Sequence, residues 1–220
     1  FIGDAAGMVY QSSNGGTSWS NVSLPDWTNV GAIRGIFTDG NDDVIVFVRT
    51  QLAVTMDNGA NWQSVLNLSS VGDINDVTTD INGELYLAGS NGLFTSDITN
   101  APVAITTTGL TNPVRFVDSG GSGTVIAVDD QGKHSRFKPN NGGWKVITHQ
   151  QTLKDLAIDH TGLWVGLTTD NQFARSVDDG KTWAKLVNVK GDERPLFGMG
   201  YSLDGWLIGG ENGHILASIE

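Results

Sequence analysis

Three arginines stand at comparable points of the chain, each just before a short apolar segment: Arg34, Arg115 and Arg194. A guanidinium group binds a carboxylate through two parallel hydrogen bonds, so three converging arginines would form a site for an acidic ligand. The alternative is that these arginines pair with nearby acids such as Asp76, Asp155 and Glu193.

One aromatic and two acidic residues join the arginines as predicted binding residues. Trp27 is the one tryptophan in an apparent loop, where an indole ring could stack on a sugar, anchor a protein partner or pack beneath its own loop. Asp192 and Glu193 precede Arg194 in another long loop. The predicted binding residues are Trp27, Arg34, Arg115, Asp192, Glu193 and Arg194.

Clustered acids in turns suggest a cation. Calcium takes several oxygen ligands, and the turns that could supply them contain Asp39, Asp42, Asp43, Asp129 and Asp130. None of these turns has EF-hand spacing, and the alternative is a solvated turn capped by aspartate. The four histidines show no zinc-ligand spacing. No cofactor is required by the sequence, and calcium is the candidate ion.

Composition narrows the range of partners. The chain has 24 acidic and 13 basic residues and a formal net charge of −11, so we expect no nucleic-acid partner. It has no cysteine, which excludes disulfides and a thiol nucleophile. No apolar run approaches the length of a membrane-spanning helix, and we expect no membrane insertion. A complete set of nucleophile, acid and base is not visible, and no catalytic residue is predicted.

The elements that carry these residues repeat along the chain. A hydroxyl residue ends a short apolar segment at intervals of 40 to 43 residues, at Ser12, Thr55, Thr95, Ser135, Ser176 and Ser218. Each repeat has further short segments rich in Val, Ile, Leu and Thr and bounded by Gly, Asn and Asp, which is typical of strands and turns. The first strand of a repeat ends near Asp39, Asp80, Asp118 and Asp159.

Four strands in a repeat of about 41 residues predict an all-β propeller of four-stranded antiparallel blades. If the four strands of a repeat are named A to D, the first repeat of the sequence begins at strand B and the last one ends at strand C. This pattern favours six blades, two of them three-stranded at the seam, with five blades as the alternative. We expect residues 1–220 to form a single propeller domain, part of a longer protein.

Three of the hydroxyl residues open nearly identical segments: SSNGGTSW from Ser12, TMDNGANW from Thr55 and SVDDGKTW from Ser176. Asn14, Asp57 and Asp178 can accept backbone N–H groups across the C–D turn. Gly16, Gly59 and Gly180 can supply the positive φ that the turn needs. Trp19, Trp62 and Trp183 can fold back between blades. The segments are therefore predicted to be structural.

The pattern S-x-D-x-G-x-T-W resembles the Asp-box, or BNR repeat, of sialidase-like propellers. SVDDGKTW from Ser176 matches every position, and the other two copies depart conservatively. The resemblance implies a structural hairpin in each blade. Sialidases also need three arginines, a tyrosine nucleophile paired with glutamate, and an aspartate acid/base. Their F/Y-R-I-P signature is absent, and Tyr10, Tyr86 and Tyr201 all lie in predicted strands.

These observations favour a non-catalytic binding or adhesion propeller that presents its B–C and D–A loops to a receptor, a glycan or a protein. Similar propellers suggest a cell-surface, extracellular or virion location, including the head of a virion spike. One alternative is an assembly or stability factor that docks a protein partner, similar to the photosystem II assembly propellers, although such a factor would need an electropositive groove. The other is a small sialidase-like glycoside hydrolase with paired carboxylates near the axis.

Overall fold

The computed structural model describes residues 1–25, 27, 30–38, 42–65, 68–97, 100–120, 123–138, 143–147, 152–159, 161–186, 196–202, 205–213 and 215–218. These residues form six antiparallel sheets arranged as the blades of a propeller, and strands within a sheet follow chain order. The prediction of six four-stranded blades with three-stranded ones at the seam is confirmed, and the five-blade alternative is wrong.

The strands of the first three blades are as follows. Blade 1 contains β1 (Ile2–Gly3), β2 (Val9–Gln11) and β3 (Ser20–Val22). Blade 2 contains β4 (Gly35–Thr38), β5 (Val44–Phe47), β6 (Leu52–Thr55) and β7 (Gln63–Val65). Blade 3 contains β8 (Ile74–Thr79), β9 (Leu85–Gly89), β10 (Gly92–Ser96) and β11 (Val103–Ala104).

The remaining three blades continue the pattern. Blade 4 contains β12 (Val114–Ser119), β13 (Val125–Asp129), β14 (His134–Phe137) and β15 (Lys145–Ile147). Blade 5 contains β16 (Leu153–Ile158), β17 (Trp164–Thr168), β18 (Phe173–Ser176) and β19 (Ala184–Leu186). Blade 6 contains β20 (Leu196–Ser202), β21 (Gly205–Gly210) and β22 (Ile215–Ser218).

Helical structure is confined to short 3₁₀ turns at Leu68–Ser70, Thr106–Thr108 and Glu211–Gly213 among the described residues. None of the described helices is long and apolar enough to cross a membrane.

The core is divided among the joints between blades. Alternate residues of each strand face opposite sides of a blade, so every central blade has an apolar face towards each neighbour. Five buried clusters result, one for each joint from blade 1 to blade 6. The joint between blades 4 and 5, for example, buries Ile126, Val128, Leu156 and Trp164. Burial of these faces holds successive blades at a fixed angle around the axis.

In blades 3 and 4, the residue of strand C that pairs with the start of strand B differs from the hydroxyl residue predicted. In blades 2 and 5 the hydroxyl residue is paired with the first residue of strand B, as in Thr55 with Val44, and in blade 6 Ser218 is paired with Trp206, the second residue of β21. In blade 3 that partner is Ser96 rather than Thr95, and in blade 4 it is Phe137 rather than Ser135. These two hairpins have lost the Ser/Thr-Asp-Gly-Trp pattern, so sequence spacing alone could not fix their alignment.

Candidate functional site

The same hydrogen bonds recur in the three hairpins that share the eight-residue pattern, residues 12–19, 55–62 and 176–183. At the third of them, Ser176 Oγ accepts the Gly180 N–H at 2.9 Å and donates to Asp178 Oδ1 at 2.8 Å. Asp178 Oδ1 also accepts the Thr182 N–H at 2.8 Å, and Trp183 Nε1 donates to the Gly180 carbonyl at 3.0 Å.

The other two hairpins repeat this arrangement. Thr55 Oγ1 accepts the Gly59 N–H at 3.0 Å, and Ser12 Oγ accepts the Gly16 N–H at 2.8 Å. Gly16, Gly59 and Gly180 have φ values of 85°, 89° and 73°, which explains the glycine at this point of the turn. The polar groups of the hairpins are therefore used within the turns, and these residues do not assemble a shared site.

The inner A strands enclose a channel on the propeller axis. A cavity of about 930 Å³ is lined by residues from five inner strands, β4, β8, β12, β16 and β20. It is bounded by the A–B turn of residues 80–83 and so opens towards the face that carries the three hairpins. A second cavity of about 230 Å³ lies at the other ends of the inner strands. The larger cavity thus lies away from the B–C and D–A loops that the sequence favoured.

Three aspartates project into the larger cavity from consecutive inner strands: Asp76 on β8, Asp118 on β12 and Asp155 on β16. We call them the channel carboxylates. Asp76 and Asp155 also line the smaller cavity, so they lie where the two cavities meet. Each of β8, β12, β16 and β20 has a one-residue register shift near its start, as between Ile74 and Asp76. On β8 and β16 the residue after this bulge is the aspartate that faces the axis.

Each channel carboxylate joins its own blade to the next one. Asp76 Oδ2 accepts the Val117 N–H at 3.1 Å, and Asp76 Oδ1 accepts the Val77 N–H at 2.9 Å. Asp118 bonds in the same way to the N–H groups of Ile158 at 3.1 Å and Ser119 at 2.8 Å.

Asp155 continues the series into blade 6. Its Oδ2 accepts the Met199 N–H at 2.7 Å, and its Oδ1 accepts the Leu156 N–H at 2.9 Å. Backbone donors thus hold all three side chains in place on the channel wall.

The channel carboxylates have raised pKa values. Burial raises the pKa of Asp118 to about 7 and that of Asp155 to about 6, and it raises the pKa of Asp76 well above its usual value. The negative charges of neighbouring channel carboxylates add to the effect at Asp76 and Asp118, while the backbone hydrogen bonds oppose it. Lys154 opposes the effect at Asp155. The channel is therefore short of positive charge and would gain from a cationic ligand.

The hydroxyl groups of Thr38, Thr79 and Ser119 belong to residues that line the same cavity. Ser119 Oγ lies 3.2 Å from Thr78 Oγ1 and donates to the Thr79 carbonyl. At the mouth, Ile81 is 67% exposed and also lines the cavity. Ile81 therefore places exposed apolar surface at the mouth of the channel.

Two of the three predicted arginines lie among the described residues, and a shared site for an acidic ligand stays a prediction. Arg34 is exposed, lines the smaller cavity and donates to the Ile74 carbonyl at 3.5 Å. Arg115 is exposed on β12, and neither arginine forms an ion pair with a described acid. Arg194, Asp192 and Glu193 lie outside the described residues.

Trp27 packs against the cluster between blades 1 and 2 and is half-buried. Its Nε1 atom is buried without a hydrogen-bond partner among the described residues. A binding role for Trp27 stays a prediction, and its ring contributes to the core in any case.

Four of the five acids predicted to bind calcium lie among the described residues. Both carboxylate oxygens of Asp129 are used within the protein: Oδ1 accepts the Lys133 N–H at 2.8 Å, and Oδ2 accepts the Thr111 N–H at 3.0 Å. Asp42 accepts the Asn58 N–H through its backbone carbonyl at 2.8 Å. The described part of the chain holds no group of three or more His, Cys, Asp or Glu side chains that could hold a metal ion, so Asp43 and Asp130 belong to no such group there. Asp39 lies outside the described residues, and calcium binding stays a prediction.

Sequence reasoning missed the channel carboxylates as a group. It considered Asp76 and Asp155 only as arginine partners and Asp118 only as the end of strand A. In the structure Gly120 takes the turn position that Asp80 and Asp159 occupy in their blades, since all three use the same backbone bonds across the A–B turn. Asp118 lies two residues earlier and points to the axis. The available signal was an acid inside an apolar inner strand in three consecutive repeats.

No protein-family model and no curated protein sequence matches the chain. Solved structures do share its fold. A structure described as YCF48 bound to D1 peptide is 22% identical with a TM-score of 0.73, covering 97% of this chain and 72% of that one. YCF48 from Cyanidioschyzon merolae is 17% identical with a TM-score of 0.69, covering 96% of this chain and 76% of that one.

An enzyme is also among the similar structures. A catalytically inactive virginiamycin B lyase from Staphylococcus aureus with quinupristin is 11% identical with a TM-score of 0.69, covering 97% of this chain and 78% of that one. The likeness to these proteins establishes the propeller fold and is shared by a binding protein and an enzyme. Membership of the Asp-box, sialidase-like group stays a prediction.

Proposed function

We propose that this propeller is a non-catalytic docking protein whose axial channel binds a basic segment of a protein partner. The observation that carries the proposal is the set of three channel carboxylates in a cavity of about 930 Å³. A lysine or arginine side chain inserted there would supply the positive charge that the channel lacks. It would also bring the pKa values of Asp118 and Asp155 back towards their ordinary range.

Two further features support docking over catalysis. The oxygens of the channel carboxylates already accept backbone N–H groups, which suits a fixed electrostatic wall better than a nucleophile or a proton shuttle. The net charge of −11 would also steer a basic partner towards the protein and speed their encounter.

The fold comparison adds support for the docking alternative rather than for an adhesion head. One similar structure is described as bound to a peptide, which shows that a propeller of this shape can bind one. An assembly factor was expected to have an electropositive groove for an acidic partner. The channel of this chain is acidic instead, so its partner would carry positive charge. A receptor, glycan or virion role and an extracellular location gain no support from the geometry.

Selection of peptides tests the proposed function. A library of random 12-residue peptides would be selected against the wild-type protein, against an Asp118→Asn/Asp155→Asn variant and against Asp73→Asn. Asp73 is a suitable control because it pairs with Arg49 outside the channel. We expect peptides rich in lysine or arginine to be enriched by the wild type and by Asp73→Asn.

The same peptides should be enriched at least tenfold less by the double variant, since hydrogen bonds to charged groups contribute about 1.5–3 kcal/mol. Circular dichroism would verify that each variant is folded. Enrichment without basic residues, or equal enrichment by the double variant, would contradict the proposal.

A further inference from the structure

The joints between blades follow one rule of side-chain direction. In strand B, counted from the residue that pairs with the hydroxyl position, such as Val44 or Trp206, the second and fourth residues face the side of the next blade in chain order, and the first and third face the preceding blade. Val165 and Leu167 of blade 5 thus pack with Trp206 and Ile208 of blade 6 in a single cluster. The same rule places Ile126 and Val128 of blade 4 against blade 5. We therefore expect an apolar blade face with these side-chain directions to pack against another blade.

Blade 6 has such a face without a described cover. Leu207 occupies the position of Val165, because Trp206 pairs with Ser218 as Trp164 pairs with Ser176. Leu207 is 49% exposed, whereas Val165 is 8% exposed. Ile215 lies opposite Gly209 on the same face and is 69% exposed, and a Cβ atom added at Gly209 would meet no atom of a described residue within 4 Å.

Blade 1 has the complementary face, the one that meets a preceding blade. A Cβ atom added at Gly59 would lie 2.9 Å from Phe1 of the preceding blade, and one at Gly180 would lie 2.6 Å from Ile126 of the preceding blade. At Gly16 the same test finds, among the described residues, only Trp19 of its own hairpin, at 3.5 Å.

The exposed fractions of two side chains also indicate that this face of blade 1 is uncovered. Trp19 is 43% exposed, and Ile2 is 47% exposed where Val46, at the same position of blade 2, is fully buried. We call Ile2 and Trp19 on blade 1, with Leu207 and Ile215 on blade 6, the seam faces.

We infer that the seam faces bind one additional blade of the same repeat, a four-stranded sheet with apolar side chains on both of its faces. Continuity with the existing joints carries the inference: blade 6 offers the face that blades 1 to 5 bury against a following blade, and blade 1 offers the face that blades 2 to 6 bury against a preceding one. Between described residues, hydrogen bonds and apolar clusters join each blade to the next as far as blade 6, and none joins blade 6 to blade 1.

The solved structures of the same fold are longer than this chain. This chain covers 72% to 78% of three of them, so the unmatched residues of each together outnumber one repeat of this chain. An extra repeat fits both seam faces, because every central blade of this chain presents one apolar face to the blade before it and one to the blade after it.

An extended protein tests this inference. A copy of residues 97–147, which supplies an outer strand and one complete blade, would be fused after Glu220, and a scrambled version of the same segment would serve as its control. We expect the copy to raise the melting temperature and to reduce the fluorescence of the hydrophobic dye ANS at least threefold relative to the scrambled fusion, because the apolar seam faces become covered.

Two double variants test whether the changes in melting temperature and ANS fluorescence arise at the seam faces. Leu207→Asp/Ile215→Asp should abolish both changes in the fusion, whereas Val103→Asp/Val177→Asp should leave them, since Val103 and Val177 are 65% and 77% exposed elsewhere. Equal behaviour of the copied and scrambled fusions would overturn the inference. So would dimerisation of the unfused chain that Leu207→Asp/Ile215→Asp removes, because a second copy would then be the occupant.

Discussion

Replacing Trp183 with alanine is expected to lower the free energy of unfolding by about 3–5 kcal/mol. The indole ring packs with Ile126, Val128 and Trp164 at the joint between blades 4 and 5. It also contacts the His134 ring, with centroids 6.0 Å apart. Truncation would leave a cavity between two blades and remove the hydrogen bond from Trp183 Nε1 to the Gly180 carbonyl. Urea denaturation followed by circular dichroism would measure the loss.

Trp19→Ala is the matched control for this prediction. Trp19 occupies the same position of its hairpin and donates to the Gly16 carbonyl at 3.1 Å, but its ring is 43% exposed and lies on a seam face. The loss at Trp19 should therefore be less than half of that at Trp183. Equal losses would mean that the ring stabilises its own hairpin rather than the joint between blades.

The second large effect expected is a fall in stability as the pH rises. The pKa values of Asp118 and Asp155 are raised to about 7 and about 6 in the folded protein, above the ordinary value of 3.8. A carboxyl group with a raised folded-state pKa stabilises the fold while it is protonated. That contribution is complete below about pH 4 and is lost as the pH rises through about 6 and 7. At about 1.4 kcal/mol per pKa unit, the loss would be on the order of several kcal/mol.

An Asp118→Asn variant isolates this effect. Asparagine offers one carbonyl oxygen where aspartate offers two acceptors, so either the Ser119 or the Ile158 N–H loses its bond at a cost of about 1–3 kcal/mol. Because asparagine does not ionise, the variant should lose less stability than the wild type between about pH 4 and about pH 8.

Asp73→Asn is the control, since the hydrogen bond from Arg49 lowers the pKa of Asp73, and the contribution of this carboxylate therefore stays constant above about pH 4. The urea midpoint of all three proteins would be measured across this range. A wild-type decline that is no steeper than that of Asp118→Asn would contradict the pKa assignment.

The sequence predicted the blades and three of their hairpins because those features are local. A hydroxyl group, an aspartate or asparagine, a glycine and a tryptophan within eight residues are enough to define the turn, and the turn fixes the register of two strands. The register of blades 3 and 4 could not be obtained in this way. Their hairpins lack the pattern, and the pairing of Ser96 and Phe137 depends on contacts with strand B.

The channel was not predictable from local patterns either. Asp76, Asp118 and Asp155 meet only because three inner strands, about 40 residues apart in sequence, surround one axis. Two of them follow a bulge that no sequence pattern announces. The sequence also favoured the arginines, whose charges suggest a site for an acidic ligand, whereas the channel that the structure describes is acidic and favours a basic one.

The central claim, that a basic segment binds inside the axial channel, is tested most directly by nuclear magnetic resonance. A selected basic peptide would be titrated into ¹⁵N-labelled protein while amide shifts are followed. The N–H groups of Val117, Ile158 and Met199 bond to the channel carboxylates and should report any charge placed beside them. The proposal predicts large, saturable shifts at these three amides. Saturable binding that leaves them unchanged, with shifts confined to outer strands such as Val103–Ala104 and Ala184–Leu186, would contradict it.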